Sequence, residues 1–373
     1  MDKLFSKIYG CEAASTIANS MGDVTEGFTW EEIETKWGFV DELLPQKKWN
    51  EKDGKLETKV RKMQFGYDFV NYAHERKPGC TEDGHERHRL CTSAILKKGG
   101  RITIMDLAQT WINDIKPENF GYLLGPQDQV IYYSLRAGVP PWEIGRYATY
   151  PARIGTSKMI LPIGCINACN SAQAAADAHD LGRLKDVRGQ RNNFSLEVCA
   201  AIAAGCAEAY KPNATVKSVI DTCLSYLSDE PLSEVKIQLD WASQVNNWKE
   251  LRPLIQRKYD GQIASNAVEV LGGALAIFYL AEGHPKEAIL YAVNFGRDTD
   301  CKAYIAGGLA GALKGIEEIP ADWVKTVEEE VVDNPWTVSR RTARQSAEGL
   351  YKAALKTAEE LNNVMSMIDQ LKS

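Results

Sequence analysis

Apolar residues recur at three- and four-residue intervals along most of the chain and rarely alternate with polar ones, which predicts a succession of helices with little strand. Residues 8–21 are rich in Ala, Ser and Gly with apolar positions at helical spacing, and predict a buried helix. A loop with Glu26 between Thr25 and Gly27 follows, and Thr29 and Glu32 have the capping-box spacing that opens a second helix. Residues 41–62 lose the period; polar and rich in Lys and Glu, they read as a surface insertion. Residues 63–75 read as helix and end at Pro78-Gly79. Beyond lies CTEDG, which leads into a helix with Leu90, Ala94 and a basic last turn, Lys97 and Lys98, before Gly99. Thr103 and Asp106 cap another helix through Trp111.

The same rhythm continues through GPQDQVIYYSLRAG and PPWEIGRYATYPARIGTSK. Residues 163–210 are Ala-rich and predict close-packed core helices, interrupted by a polar turn near 189–193. Further helices are expected over 216–227, 234–248 and 264–281, and after Pro320. In the tail, 338–371, Leu350, Ala354, Leu361, Val364 and Ile368 are spaced for helix. No fixed-period repeat is present, which sets aside a solenoid. The fold class expected is all-α.

One stretch, NFGRDTDCKAYIAGGLAGALKG over 294–315, joins chemistry to packing. Asp298 and Asp300 stand one residue apart behind a Gly-Arg turn, and Ala303, Ala306, Gly307, Gly308, Ala310 and Gly311 follow. Asp is a preferred N-cap, and small residues let another helix approach closely, so acids are held at the mouth of a buried helix.

Composition narrows the function. With 373 residues, 44% hydrophobic, the chain has room for one large core. Its charge of -6 comes from 50 acids and 44 bases without a basic block, which argues against nucleic acid. The first residues lack the apolar core of a signal peptide, and no run of about 18 apolar residues suggests a membrane span. Nine cysteines without a C-x-x-C pair argue against a zinc site or disulfide framework and favour a reducing cytoplasm.

Three acidic loops, each beside an Ala/Gly-rich helix, suit a hard cation such as Mg²⁺, Mn²⁺ or Ca²⁺, because these ions prefer compact oxygen ligands. Elsewhere the bland readings prevail. His85 and His88 in HERH read as an exposed helix turn, and Cys301 as a buried small residue. Gln127 and Asp128 read equally as a helix start or as cleft residues, and Trp142 and Tyr147 as core aromatics before ring-stacking ones.

In combination the loops resemble the ADP-ribosylglycohydrolases, the family of dinitrogenase reductase activating glycohydrolase and the ADP-ribosylhydrolases. FGRDTDCKAYIAGGLAGALKG is similar to the family's Gly-Gly-Asp-Thr-Asp-Thr and small-residue helix, CTEDG to its Thr-Asp-Asp, and SMGDVTEG to its first acidic loop. The order and spacing fit over residues 8–324. The resemblance implies a compact, orthogonal helical bundle with a central metal-binding cleft, over a domain at 1–325, with 326–373 a helical extension. It implies one or two Mg²⁺ or Mn²⁺ ions surrounded by Thr81, Glu82, Asp83, Asp298, Asp300 and Cys301, with Glu26 as the catalytic carboxylate. Gly155, Thr156, Ser157, Lys158, Gly296 and Arg297 fall where the family binds substrate.

The activity implied is metal-dependent hydrolysis at the anomeric carbon of a ribosyl group, foremost an ADP-ribosyl group on a protein or small molecule. Four departures from the family pattern stand out. Glu82 replaces Asp, Cys301 replaces Thr, Ala18-Asn19 replaces Gly-Asp, and Ile154, Lys158 and Met159 occupy a loop that reads Gly-Asn-Gly and Met-Arg in the family. They leave open a hydrolase of a smaller N-riboside and an inactive ADP-ribose-binding relative.

Overall fold

The computed structural model describes residues 1–48, 51–52, 55–63, 67–187 and 193–372. Its opening helix, Lys3–Thr25, starts at Asp2, whose carboxylate accepts from the backbone of Leu4 at 2.8 Å. This helix is buried along nearly its whole length because it lies against the small-residue helix Thr299–Lys314. Glycine sets their distance. A Cβ on Gly311 would strike the carbonyl of Gly10, and one on Gly22 would strike the backbone of Asp300. The acids of 298–300 are thereby clamped onto the opening helix.

Around this pair pack Ser195–Ala209, Ala267–Leu280 and Pro285–Val293, and Tyr304 and Phe278 are fully buried between them. The terminal helix Ala343–Gln370 buries Ala347, Leu350 and Ala353 in the body, and its Tyr351 meets Phe5 of the opening helix edge-on at 5.7 Å. The fold is all-α apart from short antiparallel pairs. Among the described residues no helix is long and apolar enough to cross a membrane.

Expected caps form. Thr29 and Glu32, and Thr103 and Asp106, each exchange side-chain and backbone hydrogen bonds. Three expectations are corrected. The described residues of 63–75, with 64–66 outside them, are not helical: Asp68–Asn71 pairs with Lys59–Lys62 and His74–Arg76 with Gln46–Lys48. Asp68 faces out while Phe69 is buried, and this two-residue alternation, with β-branched and aromatic side chains, favours strand. The polar insertion at 41–62 thus leads into ribbon, with residues 49, 50, 53 and 54 outside the described residues. The polar turn at 189–193 also lies outside them except for Asn193.

The second correction concerns HERH. His85 and His88 are buried, because the Asp83–Lys98 helix is enclosed by its neighbours rather than amphipathic. His88 joins Glu12 at 2.9 Å and the Tyr304 hydroxyl at 2.8 Å, while His85 meets the Thr16 hydroxyl at 3.0 Å. Buried polar groups of this kind persist only when hydrogen-bonded. Trp142 and Tyr147 are exposed, 42% and 65%, and are not core aromatics.

Candidate active site

Two loops are joined edge to edge at the floor of a cleft. Gly27 N–H donates to the Arg297 carbonyl at 2.9 Å, and Arg297 N–H donates to that of Phe28 at 2.8 Å. This pairing brings Glu26, at the C-terminal cap of the opening helix, to the cleft beside Asp298 and Cys301. Arg297 adopts a left-handed φ of 66°, and its guanidinium is bound to buried Glu269 at 2.6 and 2.9 Å. Gly296 has φ 94°, and a Cβ there would meet the Trp30 backbone at 2.8 Å. Both residues shape the loop, and neither lines the cleft.

Asp298 caps the small-residue helix, Oδ1 accepting from Cys301 N–H at 3.2 Å. Asp298, Asp300 and Cys301 offer ligand atoms that all lie within 4.8 Å of one another. Asp298 Oδ2 and Asp300 Oδ1 are buried without a hydrogen-bond partner among the described residues. Burial pushes the Asp300 carboxyl well above the usual carboxylate range; Lys158 opposes this, while Glu26, Asp298 and Glu82 reinforce it. Burial likewise raises the Cys301 thiol, helped by the two aspartates, so it stays protonated at neutral pH.

The Thr81 to Asp83 loop supplies the opposite edge. The Thr81 hydroxyl accepts from Arg89 at 2.8 Å and lies away from the cleft. Glu82 caps the Asp83–Lys98 helix, accepting from Gly84 N–H at 2.9 Å, from Asn19 at 2.7 Å and from Lys158. Asp83 lines the cleft and pairs with Arg87 at 2.7 Å. Arg87 also reaches Asp128 at 2.6 Å. Burial, partly offset by Arg87 and reinforced by Glu82 and Asp128, pushes Asp83 up to about 8.

The turn Ile154–Met159 divides its side chains. Gly155 and Lys158 line the cleft, whereas Thr156 donates to Asp186 at 2.8 Å and Ser157 sits 3.4 Å from the Cys199 sulfur. Lys158 bonds Glu82 and Asp300 together. Burial disfavours its charge, but Asp300 and Glu82 overcome this and hold the ammonium well above its ordinary value.

Further basic side chains line the same cleft. Arg153 donates to Ser265 at 2.8 Å and lies over the Tyr150 ring, while Lys185 donates to Gln127 at 2.6 Å. Burial, reinforced by Arg87, lowers Lys185 to about 8. The cleft, open to solvent on one side, holds about 130 Å³. Sequence reasoning missed Arg87, Lys185, Tyr150 and Ser265. Arg87 had a signal, four residues after Asp83 on one helix. Lys185, Tyr150 and Ser265 reach the cleft only through tertiary packing.

Residues 1–360 match the family model described as ADP-ribosylglycohydrolase. The chain belongs to the ADP-ribosylglycohydrolase family. It is similar to the ADP-ribosyl-[dinitrogen reductase] glycohydrolase of Rhodospirillum rubrum, 30% identical over 73 residues. That match spans 20% of this chain and about a quarter, 24%, of the curated relative. A solved structure titled ADP-ribosylglycohydrolase-related protein complex aligns with a TM-score of 0.59 at 17% identity. The alignment covers 95% of this chain and 100% of that one, a likeness in fold.

Of the metal ligands implied for the family, the two unpartnered oxygens of Asp298 and Asp300 fit one hard cation, since a buried carboxylate oxygen needs a partner. The protonated Cys301 thiol is a poor fit for such an ion. Glu82 and Asp83 are already joined to Lys158 and Arg87.

Proposed function

We propose that the chain hydrolyses the bond at the anomeric carbon of a ribosyl group, most readily an ADP-ribosyl group on a protein or small molecule, with the help of Mg²⁺ or Mn²⁺. The observation that carries this reading is the meeting of Glu26 and Asp298 at one cleft, with buried Asp300 offering a ligand atom within 4.8 Å of that of Asp298 and each aspartate leaving one oxygen without a hydrogen-bond partner among the described residues. A bound ion would be held by Asp298 and Asp300, and supplies Lewis-acid polarisation and a hold on the ribose hydroxyls.

The chain's own residues do the rest. Glu26, at a helix end and open to the cleft, takes the proton from a water that bonds to the anomeric carbon as the bond from that carbon to the leaving nitrogen or oxygen breaks, and the proton then passes to the leaving group. Arg153 and Lys185, which line the same cleft, face an anionic part of the substrate such as a diphosphate. Tyr150 presents its ring beside Arg153.

The test is release of ADP-ribose from an ADP-ribosylated protein with Mg²⁺ or Mn²⁺. Asp298→Ala, Asp300→Ala and Glu26→Gln should each lower turnover by at least about 100-fold, the range for removing a general acid–base group. Unchanged turnover in these variants sinks the reading.

A second reading has its own support. At about 130 Å³ the cleft is smaller than the roughly 300–1,000 Å³ of common ligand sites, which favours a smaller N-riboside. Competition by free ADP-ribose separates the two, since an enzyme for the smaller substrate is not inhibited by it.

A further inference from the structure

Lys158 runs under the cleft floor and ends between two carboxylates. Its side chain is 3% exposed, against 7% for Glu82 and 1% for Asp300, and Nζ donates to both. The route is prepared by Gly84, where a Cβ would collide with Cδ and Cε of Lys158. Asn19 completes the arrangement, donating to the same Glu82 Oε1 at 2.7 Å and accepting from Glu82 N–H at 3.0 Å. Buried carboxylates so close to each other need a positive charge between them. Here the protein supplies that charge itself. Asp298 Oδ2 and Asp300 Oδ1, without a hydrogen-bond partner among the described residues, belong to the other acidic edge.

We infer that the Lys158 ammonium is a built-in cation that takes the place of a divalent ion between Glu82 and Asp300, leaving one ion position, on Asp298 and Asp300, where the family resemblance allows two. Glu82 Oε1 and Asp300 Oδ2 are taken by the ammonium, and a divalent ion placed between these two oxygens would occupy the same space against strong repulsion, whereas Asp300 Oδ1 stays available to an ion shared with Asp298. A site for which the resemblance allows two ions becomes a site with one exchangeable ion and one fixed charge. The inference rests on the metal-assisted reading above, yet it is tested by counting ions rather than by turnover.

Metal-free full-length protein is dialysed against Mn²⁺ and the bound ion is counted per chain. The wild type and Lys158→Arg should each hold one Mn²⁺, and Lys158→Met should hold two. Two ions in the wild type, or equal counts in the wild type and in folded Lys158→Met, overturn the inference. A wild type that holds one ion but releases no ADP-ribose counts against the proposed function alone. Should Lys158→Met not fold, anomalous scattering from wild-type crystals grown in Mn²⁺ decides. One peak at Asp298 with Nζ still between Glu82 and Asp300 supports the inference, and a peak between those two carboxylates overturns it.

Discussion

The pKa of Lys185 makes the cleft sensitive to pH in a range that binding experiments reach. Burial and the neighbouring Arg87 lower its amine from the ordinary 10.5 to about 8, so it is charged below that pH and neutral above it. An anionic ligand is drawn to the charged form, and its affinity must fall as pH rises through about 8. Titration calorimetry with ADP-ribose should show several-fold weaker binding at pH 9 than at pH 7. It should also show proton uptake on binding near pH 8. Lys185→Met should weaken binding at pH 7 and reduce the pH dependence to the part that Asp83, which also titrates near 8 in this cleft, contributes; a wholly unchanged pH dependence places the anion elsewhere. Arg297 poses the reverse case. Because its guanidinium is spent on Glu269, fully buried, Arg297→Ala leaves that carboxylate largely uncompensated, with Lys302 at 3.6 Å its remaining cation. Stability should fall by about 3 kcal/mol, seen as a lower thermal midpoint, with little change in ligand affinity of the folded protein. A large affinity loss at unchanged stability would instead make Arg297 a ligand-binding residue.

At the scale of elements, the contact between the Lys3–Thr25 and Thr299–Lys314 helices holds the acids in place. Gly311→Val would drive a branched side chain into the Gly10 carbonyl, with backbone on both sides and no flexible neighbour to yield. Loss of soluble protein, or a thermal midpoint lower by many degrees, is expected; a mild effect would mean that the helices can separate without harm. That packing was legible in the small residues of 303–312, as were the capping boxes and the acids at 298 and 300, because each rests on a local pattern. Other features were hidden for a physical reason. Residues 68–76 carry a short alternating pattern that a helix-rich context disguises. His85, Arg87, His88 and Arg89 look like a solvated turn, yet each is buried with a partner contributed by tertiary packing or by the next turn. Lys158 falls within a turn already suspected of binding substrate, but nothing local shows that its ammonium points to Glu82 and Asp300.

For the whole molecule, burial divides the terminal helix Ala343–Gln370 into two halves. Ala347, Leu350 and Ala353 are buried against the body, whereas Leu361, Val364, Met365 and Ile368 are 44%, 47%, 54% and 43% exposed. The family match ends at residue 360, close to the same division. Stability should follow burial rather than helix length, because the folded state gains little from a helix surface that remains in water. Removing residues 361–373 should therefore shift the thermal midpoint by no more than a degree or so, as expected when surface changes stay within about 0.5 kcal/mol. Leu350→Ala, a single substitution in the buried half, should cost about 2–5 kcal/mol and lower the midpoint by several degrees. If the truncation proves the more damaging of the two, the exposed half is covered in solution and contributes to stability through that contact.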